Sequence, residues 1–212
     1  MTSGSSPRVV DVPPATASSP WTAANVVTML RILLAPAFAA ALAVDGGQDL
    51  RWRLAALGIF VLAAATDRVD GWLARRSDSV TDLGKMLDPV ADKLLVGAAL
   101  VLLSWQGALA WWVTVVVLVR ELGITVLRMV LLRYVVLPAS RGGKLKTVLQ
   151  TVAIGLYLLP LDRLPLVVDV LAAVVMAVAV LVTVLTGVDY VRTGLRVRAE
   201  QRAVPPAVTG RP

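Results

Sequence analysis

The chain has 212 residues, 58% of them hydrophobic and only 17% charged, with a mean hydropathy of +0.78. It contains no cysteine and no histidine, which excludes disulfides, thiol nucleophiles, thiolate metal sites and imidazole acid–base chemistry. General-base work and metal ligation therefore fall to carboxylates, which suit hard cations such as Mg²⁺ or Mn²⁺. The formal net charge of +7 is read as basic flanks facing anionic lipid rather than as a nucleic-acid footprint.

Residues 1–20, "MTSGSSPRVVDVPPATASSP", are rich in Ser and Pro and lack an apolar core, so they are predicted to be a disordered tail and not a signal peptide. Six apolar runs follow: Val26–Val44, Arg53–Ala74, Leu83–Leu103, Leu109–Leu132, Leu145–Leu161 and Leu166–Tyr190. Each approaches or exceeds the ~20 residues that cross a bilayer core. The predicted fold is an all-α integral membrane protein with six transmembrane helices in one domain, residues 21–192. Residues 193–212 form a basic, proline-interrupted tail.

The breaks between the runs alternate in charge. Arg75, Arg76, Arg133, Arg141, Lys144, Lys146, Arg192, Arg196, Arg198 and Arg202 fall on one side, and only Arg51, Arg53 and Arg163 on the other. By the positive-inside rule both termini are cytoplasmic, and Trp105, Trp111 and Trp112 fall at the outer interface.

Against this background the stretch "TDRVDGWLARRSDSVTDLGKMLDPVADKLL", residues 66–95, is out of place. Asp67 and Asp70 close the second run; Asp88 and Asp92 open the third. Each lies within about ten residues of the cytoplasmic end of its span, so ~15 Å or less from that face at the α-helical rise. Ionised carboxylates at that depth must face water, a cation or a partner, which predicts a polar cavity open to the cytoplasm. Asp67, Asp70, Gly71 and Ala74 share one helical face by their i, i+3, i+4, i+7 spacing, and Gly84, Asp88 and Asp92 share another. Two antiparallel neighbours would turn those faces together, and four like charges so gathered call for a divalent cation. Pro89 removes a helical hydrogen bond beside Asp88. The rival readings are packing hydrogen bonds, ion pairs to Lys85 or Lys93, and a proton- or cation-coupled transporter.

Eight of these positions, Asp67, Asp70, Gly71, Ala74, Arg75, Gly84, Asp88 and Asp92, lie within twenty-six residues. Together they resemble, without substitution, the signature of the CDP-alcohol phosphatidyltransferase family. The resemblance implies an enzyme that binds CDP-activated lipid and divalent metal, two ions of Mg²⁺ or Mn²⁺, and lets an acceptor hydroxyl attack the lipid-bearing phosphate with release of CMP. It implies Asp67, Asp70, Asp88 and Asp92 as metal ligands, Asp92 as catalytic base, and Gly71, Ala74, Arg75 and Gly84 lining the CDP site. A homodimer is implied as well.

Three further stretches resemble bacterial members of that family whose acceptor is glycerol 3-phosphate. "ANVVTMLRILLAP" carries Asn25, Thr28, Arg31 and Pro36, and adds Asn25 and Thr28 to the CDP site; helix capping explains those two equally well. "VRELGITVLR" carries Arg120 and Arg128, and "GGKLKT" carries Lys144 and Lys146, with Arg141 just before it as a further candidate cation. A small dianionic acceptor requires such cations, although Arg120 is also placed to pair with Glu121, and the lysines to serve as topology signals. The implied reaction is phosphatidyl transfer from CDP-diacylglycerol to glycerol 3-phosphate at the bacterial cytoplasmic membrane, the site facing the cytoplasm. Within the family, phosphatidylglycerol (a cardiolipin synthase) or an inositol phosphate is the alternative acceptor.

Overall fold

The computed structural model describes residues 23–77, 82–131 and 141–203, with side chains for 29–66, 93–127 and 145–196. Among the described residues there are six α-helices and no strand: α1 Ala23–Ala43, α2 Leu50–Ser77, α3 Asp82–Trp105, α4 Trp111–Leu131, α5 Arg141–Leu158 and α6 Leu166–Ala203. Every predicted apolar run falls on one of them. The last helix continues through the segment expected as the start of the tail. Residues 1–20 and 204–212 lie outside the described residues. Pro36 lies inside α1, where its ring removes the N–H that would have bonded to the Ile32 carbonyl.

Side-chain clasps establish how the helices run. The Gln106 amide, just past α3, donates to the Leu42 carbonyl at the end of α1 at 2.7 Å. The Arg53 guanidinium, in the first turn of α2, donates to the carbonyls of Tyr157 and Leu158 at the end of α5, at 3.0 and 3.1 Å, and to that of Gly47 at 3.3 Å. A helix C-terminus leaves its last carbonyls unpaired and partly negative, so a guanidinium is a fitting cap. The C-terminal ends of α1, α3 and α5 therefore meet at one end of the bundle, with the connections 44–49, 106–110 and 159–165, and the helices alternate in direction. Gly47 in the first connection has φ +80°, and a Cβ there would come within 2.5 Å of the Gln106 side chain. Both the backbone and the space require glycine.

The interior is filled from all six helices. Phe38 of α1 and Phe60 of α2 pack as a tilted pair with ring centroids 5.8 Å apart. Around them lie Ala35, Leu42, Ala56, Ala63, Leu100 and Leu103, with Val117, Ile154 and Met176 from the later helices. The frequent alanines let backbones approach closely, as in membrane bundles. Beside this core, Ser104 and Thr114 share a buried 2.7 Å hydrogen bond, and the Thr114 hydroxyl also lies 3.1 Å from the Leu100 carbonyl.

The outward faces are apolar too. Leu33, Val61, Leu62, Val119, Leu122, Val167, Val174, Leu181 and Leu185 are exposed, as are Trp105, Trp111 and Trp112. Helices that are hydrophobic all round belong inside a larger core or in lipid. Among the described residues, two stretches are long and apolar enough to cross a bilayer by themselves, Met29–Gly47, which takes in most of α1 and the turn after it, and Leu166–Arg196 of α6. The apolar parts of α3 and α5, Lys93–Trp105 and Leu145–Leu158, are shorter.

Candidate active site

The end of the bundle opposite the three connections carries its polar chemistry. α2 starts at the Arg53 clasp and runs away from it, so at 1.5 Å per residue Asp67 and Asp70 lie ~20–25 Å along the helix from Arg53. α3 runs back toward the connections, and Asp88 and Asp92 precede its apolar part. The backbone is helical through 67–77 and 82–92, so the spacings that put Asp67 with Asp70, and Asp88 with Asp92, on common faces are realised. The side chains of Asp67, Asp70, Gly71, Ala74, Arg75, Gly84, Asp88 and Asp92 lie outside the described residues, as do those of Asn25, Thr28, Arg128, Arg141 and Lys144.

Among the described side chains no group of three His, Cys, Asp or Glu is gathered to hold a metal ion. Beyond these, Asp67, Asp70, Asp88 and Asp92 stand on α2 and α3. They offer carboxylate oxygens on two uninterrupted helices in a chain without His or Cys, which fits a hard divalent cation and not a thiolate- or imidazole-bound one.

Two predicted acceptor-site residues have described side chains, and the structure brings them together. Arg120 on α4 and Lys146 on α5 both donate to Oε1 of Glu121, Arg120 at 3.2 Å. Lys93, the residue after Asp92 on α3, places its ammonium 3.6 Å from the other carboxylate oxygen. Arg120 also donates to the Thr186 hydroxyl on α6 at 3.0 Å. The alternative stated for Arg120, pairing with Glu121, is thus realised, together with a tie to Thr186 on another helix. Among the described side chains of this junction of four helices, three cations face one carboxylate.

Burial decides how much that charge matters. Lys146 is 5% exposed, so its ammonium is largely withdrawn from solvent, where an attraction is stronger than in water but desolvation costs more. A lysine there with no anion would be expensive, so Glu121 is a requirement of the buried cation. Gly187 on α6 makes room for Arg120, since a Cβ there would lie 3.1 Å from Arg120 Cγ. Arg31 of α1, quoted within the first resembling stretch, is also buried, at 2% exposure.

Beside this cluster lies a cavity of ≈ 80 Å³ between α3, α4 and α5, lined by Lys93, Val96, Glu121, Lys146, Thr147 and Gln150 among others. Gln150 was absent from the expected site. A lone amide in the run "LKTVLQTVAIGL", one helical turn after Lys146, is the signal that pointed to it. The cluster's dependence on Lys93 and Thr186 had no comparable mark, because it joins helices distant in sequence.

Comparison with known proteins identifies the family. The family model for CDP-alcohol phosphatidyltransferases matches residues 21–185, most of the chain. The chain belongs to the CDP-alcohol phosphatidyltransferase family, a membrane-bound and generally divalent-metal-dependent group, and is an enzyme. It is 54% identical over 173 residues to a probable phosphatidylglycerophosphate synthase of Mycobacterium tuberculosis, covering 82% of this chain and 81% of that one. It is 37% identical over 176 residues to the CDP-diacylglycerol–glycerol-3-phosphate 3-phosphatidyltransferase of Bacillus subtilis, covering 78% and 91%. A protein of the same name from Rickettsia felis is 34% identical over 168 residues, covering 78% and 91%.

Proposed function

We propose that this protein transfers the phosphatidyl group of CDP-diacylglycerol to the hydroxyl of glycerol 3-phosphate, making phosphatidylglycerophosphate and releasing CMP. The names of its relatives support the reaction. The observation that carries the choice of acceptor is the gathering of Lys93, Arg120 and Lys146 from three helices, one residue beyond Asp92 on α3. A small phosphorylated acceptor needs that excess of positive charge; a bulky lipid acceptor such as phosphatidylglycerol has less use for it.

In this reading Asp67, Asp70, Asp88 and Asp92 would hold divalent cation, two ions of Mg²⁺ or Mn²⁺. Such ions, when bound, neutralise the pyrophosphate and the charge that develops in the transition state. Gly71, Ala74, Arg75 and Gly84, with Asn25 and Thr28 on α1, would receive the CDP group, the small residues giving it close approach. Arg120, Arg128, Arg141, Lys144 and Lys146 would receive the acceptor phosphate. Asp92 takes the proton from the acceptor hydroxyl as its oxygen bonds to the lipid-bearing phosphorus. The bond from that phosphorus to the oxygen of the CMP phosphate breaks, and CMP leaves.

The six helices each cross the membrane, with both termini and the catalytic end of residues 21–192 in the cytoplasm. The exposed Trp105, Trp111 and Trp112 at the other end support this orientation, as an aromatic belt at the outer interface. The active form is a homodimer by family likeness.

CMP release by the purified protein tests the reading, with CDP-diacylglycerol, Mg²⁺ or Mn²⁺, and glycerol 3-phosphate, inositol phosphate or phosphatidylglycerol offered separately. Release with glycerol 3-phosphate alone, lost in Asp92→Asn, is expected. Release with a different acceptor would refute the substrate assignment, and release retained in Asp92→Asn would refute the base.

A further inference from the structure

Gln150 is 4% exposed, its amide nitrogen has no hydrogen-bond partner among the described residues, and the residue lines the cavity beside the cation cluster. A buried polar group left unpaired costs free energy that a native protein recovers by some partner. The cavity wall also holds Lys93, Lys146 and Thr147, so the partner suited to it is an anion with several acceptor oxygens. Yet Lys93 and Lys146 of this wall already share an anion, the Glu121 carboxylate, which also pairs with Arg120 behind the wall.

We propose that Glu121 is a resident stand-in for the acceptor's phosphate. An incoming phosphate group takes over the cations that Glu121 holds in the free enzyme, and the Gln150 amide donates to it. The stand-in keeps three like charges together before substrate arrives, where they would otherwise repel one another in a partly buried site. It also sets selectivity, because a monoanion displaces the carboxylate less well than a dianion does. Gln150 adds a directional donor that fixes which way the phosphate sits. Helical register places position 92 one turn before Val96, another residue of the cavity wall, so an acceptor anchored here keeps its hydroxyl end near Asp92. The inference rests on the reading that the acceptor carries a phosphate; Gln150 and Glu121 are positioning and selectivity residues, apart from the cations assigned above.

The test uses the full chain in detergent micelles and two readouts. Inorganic phosphate is the binding probe, followed by thermal unfolding without CDP-lipid, and the KM values for glycerol 3-phosphate and CDP-diacylglycerol are measured separately. In the native protein, phosphate raises the unfolding temperature and competes with glycerol 3-phosphate. Glu121→Gln lowers the unfolding temperature without phosphate, but phosphate binds roughly tenfold tighter because its competitor has gone, and raises the temperature by more than in the native protein. Gln150→Leu binds phosphate, and glycerol 3-phosphate by KM, about tenfold more weakly, one hydrogen bond to a charged group having been lost. Neither change moves the KM for CDP-diacylglycerol.

A Glu121→Gln protein that binds phosphate more weakly, with binding restored in Glu121→Asp, would overturn the stand-in and leave Glu121 as a scaffold. Unchanged phosphate binding in Gln150→Leu would overturn the role of Gln150. Absence of phosphate binding to the native protein would overturn the whole proposal, whatever the acceptor. If phosphate binding follows the expected pattern but glycerol 3-phosphate yields no CMP, the exchange stands and the assigned acceptor falls.

Discussion

The Arg53 clasp permits a quantitative test of how the bundle is closed at its non-catalytic end. Arg53→Met keeps most of the aliphatic stem and removes all three bonds, to the carbonyls of Gly47, Tyr157 and Leu158. Hydrogen bonds to a charged donor contribute ~1.5–3 kcal/mol each when buried. Arg53 is half-exposed, so water takes over part of the work, and the long 3.3 Å bond to Gly47 adds little. Two bonds at about 1 kcal/mol each, plus a few tenths for the charge at the end of α5, give a loss of roughly 2–3 kcal/mol, or about 30- to 150-fold in the unfolding equilibrium. Arg53→Lys should fall between the two, because an ammonium lacks the planar fork that serves two adjacent carbonyls. The assay is unfolding in mixed micelles of mild detergent and dodecyl sulfate, followed by tryptophan fluorescence, with CMP release measured on the same samples under native conditions. KM for both substrates should hold, since the clasp is a helix length from the catalytic end. A Met variant within about 0.5 kcal/mol of the native protein, the scatter of ordinary surface changes, would refute the clasp. A changed KM at unchanged stability would refute the separation of the two ends.

Two other substitutions probe the packing and the site. Gly187→Val should push Arg120 off the Thr186 hydroxyl, its new Cβ lying 3.1 Å from Arg120 Cγ, and raise the KM for glycerol 3-phosphate about tenfold by one charge-assisted bond; Gly123→Ala, with nothing within 4 Å of the added Cβ, should leave it unchanged. Thr114→Val should cost about 1–3 kcal/mol in the same unfolding assay by leaving the buried Ser104 hydroxyl unpaired, and adding Ser104→Ala should recover part of that loss, so strict additivity would argue against the pair.

Much of this protein was legible in order along the chain. Long runs of apolar residues favour helices, which satisfy their own backbone N–H and C=O groups wherever water is excluded. Each predicted run accordingly lies on a helix, with boundaries displaced by a few residues except at the end of α6. The aspartate signature was legible for a similar reason: carboxylates at helical spacing within an apolar chain are too costly to be accidental, and both helices carry that spacing without interruption. The presence of Arg120 and Lys146 in one site was expected from the resemblance of their two stretches to family members whose acceptor is a dianion.

What tied them together was decided only in three dimensions. Glu121 is an unremarkable acid beside an arginine until α3 and α5 bring Lys93 and Lys146 to it, and Gln150 is one polar residue in an apolar helix until the cavity forms against it. The Arg53 clasp joins positions more than a hundred residues apart in the chain. Local pattern reports the solvent that each helix face must meet. Which charges share a low-dielectric junction depends on helix directions and crossings, and those are set by the summed packing of residues such as Phe38, Phe60 and the alanines around them, which no single segment contains.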